Sequence, residues 1–156
     1  MKFFTSITIL FSTFIFSQKF LTPYEKGNGN QTVTYEEMVK FYEELDRNFE
    51  TISIENFGKD DGGEPIKVVV FNNTKTKRNP VILINNGIHP GEPDGIDATM
   101  MLMRDLASGK INANNLRIAA IQCYNISGML RRGSFSRANQ NGPEEYGFRG
   151  NARNFD

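Results

Sequence analysis

One histidine, one cysteine and no tryptophan occur in the 156 residues. A single cysteine excludes an internal disulfide framework and any Cys-rich zinc module. A single histidine excludes a multi-His metal site built from this chain alone. An excess of one charge sign is also missing: eighteen Lys and Arg balance eighteen Asp and Glu. That balance argues against nucleic acid as a partner and against polybasic attachment to membranes. What remains is a soluble globular composition, 38% hydrophobic and 23% charged, at a length that suggests one domain.

Long apolar runs are scarce as well. The exception is Phe3 to Phe16, with nine apolar residues, five Ser or Thr and no charge. Lys2 precedes it, and Ser17 before Gln18 offers a small residue for cleavage. The pattern predicts a signal peptide over residues 1–17. Fourteen residues are too few for a membrane span, which needs about 20. Cleavage would leave an exported chain, secreted or periplasmic, with no membrane attachment and with Cys123 unpaired. Cys123 lies in an apolar run, where a buried, inert thiol is expected.

Residues 18–34 are polar and Gly/Asn-rich, and read as an N-terminal arm. Thr34 and Glu37 form a capping-box pattern. Behind it, Met38, Phe41, Tyr42, Leu45 and Phe49 recur at helical spacing. Ile52 to Phe57 and Ile66 to Phe71, separated by Asp60-Asp61-Gly62-Gly63, predict a hairpin. Val81 to Ile84 is a short continuous apolar run, as expected of a strand covered on both faces. Ile96, Met100, Met103 and Ala107 give the next helix, with Asp94 as its N-cap and Gly109 as its stop. Leu116 to Cys123 is another strand. Strand, helix and strand in this order predict a βαβ unit with parallel strands, hence an α/β fold. From Tyr124 to Asp156, 33 residues show little periodicity and carry five Arg and no Lys. Arginine without lysine suits recognition of carboxylates, and a solvated basic loop is the alternative.

The only histidine lies in Asn86-Gly87-Ile88-His89-Pro90-Gly91-Glu92-Pro93, directly after the apolar strand. Ligand sites in open α/β sheets lie outside the carboxyl ends of strands. His89 and Glu92 can grip one metal if the backbone turns between them, which Pro90 and Gly91 favour. Imidazole nitrogen and carboxylate oxygen are both good zinc ligands. Asn85, Asn86 or Asp94 could orient the imidazole. The alternative for His89 is a loop imidazole held by hydrogen bonds.

His-Pro-Gly-Glu between an apolar strand and a helix resembles the first metal motif of the zinc carboxypeptidases, which release C-terminal residues from peptides. The resemblance implies a mixed, mostly parallel sheet flanked by helices. It also implies Zn²⁺ as cofactor, His89 and Glu92 as two of three protein ligands, and a peptide or protein C-terminus as substrate. Asn125-Ile126-Ser127-Gly128 is similar to the family's Asn-Pro-x-Gly turn, with Ile126 replacing Pro. Arg137, in Ser136-Arg137-Ala138-Asn139, looks like the arginine that binds substrate and polarises its scissile carbonyl, and is preferred to Arg131 or Arg132. Gly150 to Asp156 resembles the approach to the family's Asp-Leu-Asn-Arg motif, with Asp156 as its first residue.

The resemblance covers residues 35–156 and implies the N-terminal part of a larger domain, incomplete at its C-terminus. The second histidine ligand, the general-base glutamate and the substrate-clamping residues would follow Asp156. The expectation is a truncated fragment, inactive by itself. Two other readings stay open. One is a zinc-dependent deacylase of N-acyl amino acids, a class that resembles carboxypeptidases in its His-x-x-Glu motif. The other is a non-enzymatic secreted binding module or pseudoenzyme, in which Arg137 is a surface charge.

Overall fold

Two capping boxes lie near the start of the described chain. In helix α1 (Pro23–Lys26), Thr22 is the N-cap, and its hydroxyl accepts from the amide of Glu25. In helix α2 (Tyr35–Asn48), the Thr34 hydroxyl accepts from the Glu37 amide at 3.2 Å. The Glu37 carboxylate accepts in return from the Thr34 amide at 2.9 Å. Each box satisfies amides that a helix start leaves without partners. In this computed structural model the chain is described over residues 20–75, 80–137 and 141–155. The signal peptide expected over residues 1–17 lies outside them, as do Ala138, Asn139 and Asp156.

Strands β1 (Ile52–Lys59) and β2 (Pro65–Asn72) form the expected antiparallel hairpin, with a register shift between Asn56 and Gly58. Strand β3 (Val81–Asn85) leads through a loop into helix α3 (Asp94–Ala107), which returns the chain to strand β4 (Arg117–Ile121). β4 inserts between the earlier strands, so the sheet order is β1-β2-β4-β3. β3 and β4 pair in parallel, as the strand–helix–strand order predicts. β2 and β4 pair antiparallel. The α/β sheet is therefore mixed, as expected. The described part has two antiparallel pairings and one parallel. The antiparallel share comes from the hairpin and from β4 landing beside β2. Helix α4 (Ile126–Leu130) follows β4.

The core lies on one face of the sheet. Val69, Phe71, Ile118 and Ala120 pack there with Met38, Tyr42 and Leu45 of α2 and Ile96, Met100 and Met103 of α3. In α3, Pro93 occupies the N-cap position and makes no side-chain cap, so Asp94 is the first helical residue rather than the cap. The residues before α2 pack onto α3. Arg104, almost fully buried, donates to the Phe20 carbonyl at 3.1 Å and to Glu25 at 2.6 Å. Asp97 accepts from the Thr32 hydroxyl at 2.5 Å.

The opposite face is open among the described residues. Along β3, Val81 is 51% exposed and Leu83 66%. They lie in register with Arg117 and Ala119, and Ala119 in turn with Val70. The expectation that β3 is covered on both faces is not met here. α2 and α3 share the core with each other, and both pack on the same side of the sheet.

Candidate functional site

The loops after β3 and β4 continue side by side beyond the strands. The Asn86 amide donates to the Ile121 carbonyl at 3.0 Å, and the amides of Tyr124 and Asn125 donate to the carbonyls of Asn86 and Gly87 at 2.9 Å each. Gly87 is needed at this close approach. Its φ is +63°, and a Cβ would stand 2.8 Å from Cys123 Sγ. The Asn86 side chain turns to α3 and donates to the Thr99 hydroxyl at 2.8 Å, which fastens the end of β3 to the helix. Cys123 is buried, and burial pushes its thiol up to about 12. That matches the inert thiol expected from its apolar run.

The chain then turns tightly. The Glu92 amide donates to the His89 carbonyl at 2.9 Å. This turn brings His89 Nδ1 to 3.9 Å from Glu92 Oε2. The side chains remain accessible, 25% and 45% exposed. Two ligands at zinc-bond length on a tetrahedral ion lie about 3.4 Å apart. The pair therefore matches a shared metal after a small rotamer adjustment. Among the described residues, no group of three His, Cys, Asp or Glu comes together to hold a metal.

The long loop after β4 closes over this turn. Asn125 organises it: its side-chain oxygen accepts from the Gly128 amide at 2.8 Å, capping α4. Its Nδ2 donates to the Arg149 carbonyl at 3.0 Å. At Gly128 a Cβ would stand 2.5 Å from the Phe148 carbonyl oxygen. Asn and Gly three apart thus serve one function, letting the returning chain lie against α4. The Phe148 amide donates to the Gly128 carbonyl at 2.8 Å, and the Gly147 amide to the Pro90 carbonyl at 3.3 Å. Residues 133–137 are fixed from the same strand of loop. Gly133 and Tyr146 form an antiparallel bridge. The buried Tyr146 hydroxyl lies 2.9 Å from the Ser134 carbonyl oxygen and 3.0 Å from that of Arg137.

The result is a cationic cover on Glu92. Arg137 Nη1 lies 2.6 Å from Glu92 Oε1. Arg149 Nη1 reaches the same oxygen at 3.5 Å. Arg131 and Arg132 are occupied elsewhere. Arg131 lies over the Phe148 ring and donates to the carbonyls of Asn151 and Ala152. Arg132 donates to the carbonyls of Val33 and Thr32, which ties the loop to the N-terminal segment. The structure therefore brings together His89, Glu92 and Arg137. It adds Arg149, which no local pattern separates from the other loop arginines.

A histidine and a glutamate thus stand on the turn after β3, beneath arginines from the loop after β4. Solved structures share the fold that carries them. The chain is similar to carboxypeptidase A from Helicoverpa armigera, with a TM-score of 0.62 and 21% identity, over 78% of this chain and 29% of that one. It is also similar to bovine thrombin-activatable fibrinolysis inhibitor, solved in complex with tick carboxypeptidase inhibitor, at TM-score 0.59 and 15% identity, over 78% of this chain and 38% of that one. A metallo-carboxypeptidase from Burkholderia cenocepacia matches at TM-score 0.55 and 17% identity, over 63% of this chain and 28% of that one. No protein-family model matches the sequence, and no curated protein does. The chain thus has the carboxypeptidase fold, and it spans less than two fifths of the length of these solved proteins. No described helix is long and apolar enough to cross a membrane.

Proposed function

We propose that the chain forms the first part of a secreted, zinc-dependent metallocarboxypeptidase-type hydrolase acting on peptide or protein C-termini. The observation that carries this reading is His89 Nδ1 at 3.9 Å from Glu92 Oε2, at the carboxyl end of β3 in a carboxypeptidase fold. His89 and Glu92 would hold the zinc. When bound, zinc supplies Lewis acidity and lowers the pKa of water. Arg137 offers a guanidinium to the oxyanion that develops as the peptide carbonyl is attacked. Tyr146 fixes the backbone from which that guanidinium projects.

A third metal ligand, a general base and a clamp for the substrate carboxylate are expected from sequence beyond Asp156. In this reading the 156 residues do not hydrolyse peptides by themselves. The test compares zinc content and C-terminal peptidase activity of a protein extended beyond Asp156, with and without His89→Ala and Glu92→Gln. Zinc bound by the extended protein and lost in both variants supports the reading. An extended protein that takes up no zinc overturns it. Release of acyl groups from N-acyl amino acids, without peptide hydrolysis, would replace peptidase by deacylase.

A further inference from the structure

We propose that Glu92 is a shared carboxylate through which metal binding and Arg137 are coupled: a metal ion taken up by His89 and Glu92 displaces the Arg137 guanidinium and makes it available to an anionic group of a substrate. The inference rests on the zinc reading of His89 and Glu92. Its basis is the division of labour on one side chain. Oε2 faces His89 Nδ1, while Oε1 carries Arg137 at 2.6 Å and Arg149 at 3.5 Å. The charge that holds the arginines is the charge a divalent cation would use. A cation at bonding distance from Oε2 would also lie within a few ångströms of two guanidinium groups, close enough for strong mutual repulsion.

The geometry allows Arg137 to leave without unfolding its loop. Its carbonyl is held by Tyr146, and the neighbouring Ser136 hydroxyl lies 2.7 Å from the Tyr146 carbonyl oxygen. The backbone stays in place while the side chain, 34% exposed, can swing on its own torsions. Arg149 is placed alike, with its carbonyl held by Asn125 and its side chain 43% exposed. Arg137, at the shorter distance, is the principal competitor and Arg149 a secondary one. Arg137 is a positioning residue in this coupling, since it acts on the metal through Glu92.

The experiment titrates the protein extended beyond Asp156, which carries the expected third ligand and serves as the parent chain, with Zn²⁺ against a fluorescent zinc chelator. Arg137→Ala is expected to bind zinc about tenfold more tightly than the parent chain, and Arg149→Ala by a smaller factor. Arg137→Lys keeps the charge and should stay within about twofold of the parent. A second readout needs no variant: zinc should speed modification of Arg137 by phenylglyoxal, followed by peptide mass spectrometry. Unchanged or weaker zinc binding in Arg137→Ala, or protection of Arg137 by zinc, overturns the coupling. The control is Glu92→Gln. If it loses zinc while Arg137→Ala gains nothing, the coupling fails and the zinc reading stands. If the parent chain binds no zinc, or Glu92→Gln binds it equally well, both fail.

Discussion

Asp60 in the β1–β2 turn grips Ser127 at the start of α4, across 67 residues of sequence. One carboxylate oxygen accepts from the Ser127 amide at 2.8 Å and from its hydroxyl at 2.7 Å. The other accepts from the amides of Gly62 and Glu64 at 2.9 Å each. The hairpin turn is thereby locked to the same short helix that supports the loop over Glu92.

Asp60→Ala is expected to destabilise the fold by about 2–3 kcal/mol, because it strips acceptors from several amides at once. Burial raises the Asp60 carboxyl, but the hydrogen bonds from Ser127, Glu64 and Gly62 outweigh it and hold the group below its ordinary value. A lowered carboxyl contributes stability that is present above the ordinary pKa of 3.8 and lost as pH falls through the folded value. Urea denaturation at pH 7 and at successively lower pH should show the gap between parent and variant closing in acid.

Asp97 should behave in the opposite sense. Burial, aided by the charge of Asp94, raises its carboxyl to about 6, against the hydrogen bonds from Thr32 and Val33 and the charge of Arg132. The folded state then holds a proton that the unfolded state gives up between about pH 3.8 and 6. Its contribution is complete below that window and declines as pH rises through it. Tm measured from pH 4 to 7 should therefore improve for Asp97→Asn relative to the parent as pH increases. A constant difference would contradict this assignment.

At Gly128 the expected change is structural. A methyl group would collide with the Phe148 carbonyl oxygen and with Asn125 Nδ2, at 2.5 and 2.6 Å. Asn125 Nδ2 is held by the Arg149 carbonyl, and the Phe148 amide is tied to the Gly128 carbonyl. Gly128→Ala should cost about 1–3 kcal/mol, and limited proteolysis should find residues 131–149 cut faster than in the parent chain. Resistance equal to the parent would show that the loop is not anchored there.

Association is expected through β3. Among the described residues, Val81 and Leu83 expose apolar side chains along the edge strand of the sheet, a feature that folded proteins ordinarily cover or break with charge. Purified residues 18–156 should oligomerise or precipitate, and Leu83→Lys should shift them toward monomer in sedimentation velocity. A monomeric parent with a sharp, cooperative thermal transition would refute this.

Much of this molecule is local and therefore legible in its sequence. Thr34 and Glu37 announce the start of α2 because a capping box spans one helical turn. The β3–α3–β4 order dictates a parallel pair, since a helix returns the chain to the same end of the sheet. His89 and Glu92 are three residues apart, so a single turn suffices to bring them together. Asn125 and Gly128 are legible for the same reason. The tertiary structure alone decided that Arg137 and Arg149 meet on one oxygen of Glu92, while Arg131 and Arg132 became struts. Five loop arginines look alike in sequence; their roles separate only when Asn125, Tyr146 and the Gly128–Phe148 contact fix the path of the backbone. It also decided that α2 and α3 pack on one side of the sheet and leave Val81 and Leu83 bare. An apolar strand reads the same whichever of its faces is covered, because coverage depends on elements distant in the chain.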